Sequence, residues 1–208
     1  MKKTLIVLAT SGLICASMTG TALADSHEGD NLEPASPIEL FACSYNEGKG
    51  AADLSQSIDA WNAWADSQNL TDYSAWTLVP YYSGPEQEFD FLWLGGASKA
   101  ASLGRAQDLW LATGGKEMEG FDEVMTCSIH ANFSSLRFKK PPKRDNPNNV
   151  VVSFSDCNMA DDVTFEDLVP SLMQWADYRE SHGSTSGMWV LFPAYGGGGE
   201  QMDFKFIA

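Results

Sequence analysis

One pattern occurs twice in this chain, and it limits the available folds more than any other feature. Trp76-Thr-Leu-Val-Pro80 followed by Asp90-Phe91-Leu92-Trp93 recurs as Trp189-Val-Leu-Phe-Pro193 followed by Asp203-Phe204-Lys205-Phe206. In both, four positions separate the tryptophan from the proline and ten separate the proline from the aspartate. Upstream, Trp64-Ala65-Asp66 matches Trp175-Ala176-Asp177, and Asn46 matches Asn158. Matches in the same order, at an offset of about 112 residues, indicate an internal duplication.

Each copy reads as the same series of elements. Residues 38–45 alternate as a strand, with Phe41 and Cys43 on one face. Asp53 with Gln56, and Thr164 with Asp167, predict capped helix starts. Leu54, Ile58, Trp61 and Ala65 form one helical stripe, and Phe165, Val169, Leu172 and Ala176 form its counterpart. Pro170 inside the second helix predicts a kink or a delayed start. Strands follow over 73–81 and 88–94, joined through Ser83-Gly84-Pro85; the equivalent turn in the second copy is the glycine run 196–199. Phe89, Phe91 and Trp93 alternate onto one strand face, as do Met202, Phe204 and Phe206. The first copy continues with a helix capped by Ser98, carrying Leu103, Ala106 and Trp110 and ending at Gly114-Gly115. A last strand covers 124–133.

The order β-α-β-β-α-β is the ferredoxin-like arrangement. Its first and last strands are antiparallel neighbours, so Cys43 and Cys127 are expected to form a disulfide. The second copy stops at Ala208 after its third strand. An unpaired strand edge would result. The chain is therefore expected to be carboxy-terminally incomplete, or to cover the gap with its linker or by self-association. Aligning Asn46 with Asn158 sets Cys157 opposite Tyr45, leaving the thiol without a partner.

The amino terminus has the three parts of a cleaved signal: Lys2 and Lys3, an apolar run from Leu5 to Ala16, and Ala22-Leu23-Ala24. Thr10, Ser11 and Gly12 interrupt that run, which falls short of the roughly 20 apolar residues of a spanning helix. Cleavage after Ala24 and a periplasmic or secreted location are expected. The predicted organisation is signal 1–24, flexible start 25–36, ferredoxin-like unit 37–136, basic Pro/Asn linker 137–149, and a second ferredoxin-like unit 150–208 that ends early. Losing Lys2 and Lys3 and no acid takes the net charge from −15 to −17. Five of the remaining bases fall within the linker, so the rest is strongly acidic, which argues against nucleic-acid binding and docking on anionic membranes.

The tandem of ferredoxin-like units with aromatic, two-sided sheets resembles the dimeric α+β barrel superfamily, which includes antibiotic-biosynthesis monooxygenase-like and stress-responsive barrel proteins. That resemblance implies an α+β fold whose two antiparallel sheets pack as a pseudo-dimeric barrel. It also implies a small-molecule binder with an aromatic barrel cavity, a cofactor-independent oxygenase-like enzyme, or an interaction module with a packed barrel. A fold of this kind does not by itself choose among them.

Single residues narrow the choice. In the last strand Thr126, Ser128, His130 and Asn132 fall on one face by alternation, opposite Met125, Cys127, Ile129, Ala131 and Phe133. His130 is the candidate proton acceptor, or haem or metal ligand. Asp90 and Asp203 stand at equivalent places and are candidate cavity carboxylates, joined by Asn46 and Asn158. His27 and His182 lie in polar loops, so no metal site is expected. Nor does any phosphate loop point to a cofactor, since the glycine run has no helix after it.

Overall fold

The computed structural model describes residues 32–82, 84, 87–143, 150–197 and 202–208. The expected signal and its cleavage site lie outside the described residues. The elements are β1 (Ser36–Tyr45), α1 (Ala51–Ser67), β2 (Ser74–Leu78), β3 (Phe91–Gly96), α2 (Ala100–Thr113), α3 (Gly115–Val124), β4 (Met125–Lys139), β5 (Phe154–Cys157), α4 (Phe165–Ser181), β6 (Met188–Gly196) and β7 (Phe204–Ile207). The strands make one antiparallel sheet in the order β2-β3-β1-β4-β6-β7-β5. Its first half, β2-β3-β1-β4, has the ferredoxin-like order, and β6-β7-β5 repeats that order with three strands.

The two halves join edge to edge rather than as two separate sheets. β4 is the hinge of this arrangement. It pairs with β1 along its first part and with β6 along its second, from Ala131↔Gly196 to Lys139↔Met188. The strand therefore runs three residues into the basic stretch expected to be linker. Lys139 is buried, and its Nζ donates to the carbonyls of Ser184 and Ser186, both at 3.0 Å. Arg137 pairs with Glu33. The partners of these cations are supplied by distant segments, which the local Pro/Asn composition does not reveal.

Three apolar clusters hold the fold. Leu54, Phe91, Trp93 and Phe121 pack on the helix side of the first half; Phe138, Val169, Ala176, Val190 and Phe204 do so under α4. The predicted stripes of both helices face these clusters. The third cluster joins Leu40, Ala131 and Phe133 to Leu191 and Ile207 on the opposite sheet face. These residues are 2–7% exposed and no described helix covers them, so the two halves of the sheet bury each other there. That space is filled by side chains.

Several local expectations need correction. Gly50, not Asp53, is the N-cap of α1, and Asp53 accepts from the Gly50 N–H at 3.0 Å. At Thr164 the capping box forms as expected, with Asp167 accepting from the Thr164 N–H at 2.9 Å. Its two backbone and hydroxyl donors hold the Asp167 carboxyl below the usual range. Lys99 rather than Ser98 caps α2; Ser98 donates to Asp72 instead. Pro170 is the sixth residue of α4, past the first turn, so the helix start is not delayed and the Glu166 carbonyl lacks its helical donor. The helix α3 has no counterpart among the sequence expectations, because Gly115 and Gly120 interrupt its apolar spacing.

Candidate functional site

A disulfide fixes the geometry of the site. Cys43 and Cys127 face each other across β1 and β4 and are bonded, with their α-carbons 3.9 Å apart. Immediately beside them the register shifts: Ala42 pairs with Ile129 and Cys43 with Cys127, so Ser128 is an extra residue on β4. A bulge of this kind interrupts alternation. Cys127 and Met125 consequently share the helix-facing side with His130 and Asn132, contrary to the split read from the sequence. Ile129, Ala131 and Phe133 turn to the opposite face, with Leu40.

On that helix-facing side lies a cavity of about 740 Å3, between β1, β3 and β4 below and α1, α2 and α3 above. The expected aromatic cavity therefore exists, but under the helices rather than between the halves of the sheet. Too many large rings converge here for close packing. Phe41, Trp61, Trp64, Trp93, Trp110 and Phe121 form the walls. Trp61 meets Trp93 edge-on at 5.7 Å, and Trp64 meets Trp110 edge-on at 5.0 Å, both favourable ring geometries. Trp64 Nε1 is satisfied by Thr113 Oγ1 at 3.1 Å.

Polar groups converge at one place in this aromatic surround. Glu39 is only 5% exposed. One carboxyl oxygen accepts from the Tyr73 hydroxyl and the other from Gln107 Nε2 at 3.1 Å. Trp93 Nε1 in turn donates to the Tyr73 oxygen at 3.1 Å. Burial, followed by the adjacent Glu39 charge, pushes the Tyr73 phenol far above its ordinary pKa, so it remains a donor. The backbone makes room for the pair. A Cβ at Gly95 would stand 2.3 Å from the Tyr73 oxygen and 2.6 Å from Glu39 Oε1. Across the strands from Glu39, Asn132 carries a buried side-chain oxygen without a donor.

Of the residues singled out from the sequence, His130 reaches this cavity, at its exposed end, with its ring stacked on Phe41 at 4.3 Å. Asn46 lies beside it, bonded to the Asp122 carbonyl and to Thr126. Asp90 and Asp203 do not line it; each clasps a strand end instead. Asp90 accepts from the Tyr45 N–H at 2.8 Å and donates its own N–H to the Cys43 carbonyl. Asp203 does the same with Met159, at 2.7 Å, and Cys157. Burial, then the Asp90 charge, raises the Tyr45 phenol. Asn158 is exposed and away from the cavity. The matched clasps show that Cys157 corresponds to Cys43, not to Tyr45. Its thiol is free.

Glu39, Tyr73 and Gln107 are absent from the residues singled out by sequence. Glu39 shares strand parity with Phe41 and Cys43, so an acid on a face otherwise buried is a legible signal. Gln107 and Tyr73 give no such signal. Among the described residues no three His, Cys, Asp or Glu side chains gather as a metal site, and no helix is long and apolar enough to cross a membrane.

No protein-family model and no curated protein matches the chain. A crystal structure described, provisionally, as a chlorite dismutase is similar over 84% of this chain and 79% of its own, at 10% identity and a TM-score of 0.46. A likeness that slight transfers no chemistry from that protein to this one.

Proposed function

We propose that this protein is exported and binds a small organic molecule in the aromatic cavity of its first half. The cavity itself carries the reading. At about 740 Å3 it has the size of a ligand site, and its apolar walls surround a few convergent polar groups. Export is supported by the three-part amino-terminal pattern and by the Cys43–Cys127 bond, a linkage that persists in oxidising compartments.

Native mass spectrometry of the protein purified from an exporting host tests this. A retained small-molecule mass is expected, and it should be lost when Ala106, buried on the cavity wall, is replaced by Trp. A protein that retains nothing, and whose tryptophan emission responds to no member of an apolar small-molecule panel, would overturn the reading.

A further inference from the structure

We infer that the molecule held in this cavity is an organic cation, an ammonium head on an apolar body, with Glu39 as its counter-charge. The inference rests on the small-molecule reading above and names its chemical class. Glu39 is almost wholly buried, yet its hydrogen-bond partners, Tyr73 and Gln107, are both neutral. Both of its oxygens act as acceptors, as those of a carboxylate do. Because Trp93 donates to the Tyr73 oxygen, the phenol proton is left to point at Glu39. Among the described residues the ion pairs are Arg137–Glu33 and Lys205–Asp156, and neither involves this carboxylate. A buried carboxylate with no cation near it carries a large desolvation cost that a charged ligand would offset.

The rest of the cavity favours the same charge. No Lys or Arg lines it; besides Tyr73, its other ionisable residues are Asp122 and His130, both on the exposed side. Tyr73, bonded to the carboxylate, packs with Trp61 and Trp93, the ring centroids 5.6 and 5.7 Å apart by way of Trp61. Ring faces attract ammonium groups, most strongly where water is excluded. The formal charge of −15 adds a long-range field of the same sign. An anionic ligand would meet an acid at the floor, an acid near the rim and no fixed positive charge.

Three probes of similar size separate the possibilities: benzyltrimethylammonium, the neutral 2,2-dimethyl-3-phenylpropan-1-ol, and phenylmethanesulfonate. Calorimetry and tryptophan emission on the full exported protein give the affinities. The cation is expected to bind about tenfold or more tightly than the neutral probe, with the sulfonate weakest. Glu39→Gln should erase that preference, bringing the affinities of that variant for the cation and the neutral probe within about threefold of each other. The wild-type comparison needs no variant, so it stands even if the substitution destabilises the fold. Equal binding of cation and neutral probe, or tightest binding of the sulfonate, would overturn the assignment of charge and leave the cavity reading intact. A preference undiminished in folded Glu39→Gln would overturn the role of Glu39. No binding by any probe would count against both readings.

Discussion

Removing the Cys43–Cys127 bond should cost a large share of the stability this fold has to spare. The two residues are 84 positions apart, so the bond closes nearly the whole first half. In the chain-entropy account a loop of that length is worth about 4.5 kcal/mol. Whole domains are stable by only about 5–15 kcal/mol. Cys43 is fully buried against Leu54 and Phe91, so a Cys43→Ala/Cys127→Ala pair also loses two sulfurs from a packed cluster. With a urea dependence of about 2 kcal/mol per molar, the midpoint should fall by roughly 2 M. Urea unfolding of the oxidised protein, of the same protein in excess reductant, and of the double variant measures this directly. Midpoints agreeing within about 0.3 M, at that same slope, would show that the β1–β4 ladder alone holds these strands and that the loop argument fails. Non-reducing peptide maps should show the bridge, with Cys157 as the remaining thiol of the described residues.

Two further outcomes follow from the buried pair. Gly95→Ala places a methyl group into Tyr73 and Glu39 and should destabilise by about 1–3 kcal/mol, as overpacking does, while weakening ligand binding; thermal unfolding and the same titrations check it. Spectrophotometric titration at 295 nm should show tyrosines that fail to ionise near pH 10, and Tyr73→Phe should lower the number of such residues by one. The sign is fixed by the raised pKa: the contribution of Tyr73 is complete below the unfolded value near 10 and is lost as pH rises beyond it, so the stability of Tyr73→Phe should fall less steeply above pH 10 than that of the unsubstituted protein.

Most of the frame is legible in the residue pattern alone. The repeat spacing and the period-two and helical stripes locate both helices that face the clusters and the order of strands in each half, because those patterns are set by local geometry. The disulfide is legible for the same reason, once β1 and β4 are neighbours. What the sequence hides depends on non-local partners. The Ser128 bulge reverses the face of half of β4, and alternation counted along one strand cannot detect it. The strand at Arg137–Lys139 exists because Glu33, Ser184 and Ser186 satisfy its cations. The cavity, expected between the halves of the sheet, lies under the helices, since α3, with its two glycines, brings Met118 and Phe121 over Cys127 and Trp93.

The duplication separates scaffold from chemistry. Features present in both halves do the same structural work: Asp90 and Asp203 clasp equivalent strand ends, and α1 and α4 both run seventeen residues. The buried alanines Ala65 and Ala176, each following a tryptophan, keep Trp175 as the counterpart of Trp64. Trp64 is buried edge-on against Trp110, whereas Trp175 is 48% exposed, stacked on Tyr178 beneath Arg179. Where the first half places Glu39, Tyr73 and Trp93, the second places Ser153, Ser186 and Phe206, counted from the matched clasps and strands. Ser153 pairs with Ala208 and Ser186 accepts from Arg179, so neither position offers a free carboxylate. Among the described residues α4 is the only helix on that half, and nothing there stands where Trp110 and Gln107 do. Among the described residues the acid and the rings beside it belong to the first half. A role in holding strands would have been kept in both, so a ligand accounts for Glu39, Tyr73 and Trp93 where the second half carries Ser153, Ser186 and Phe206.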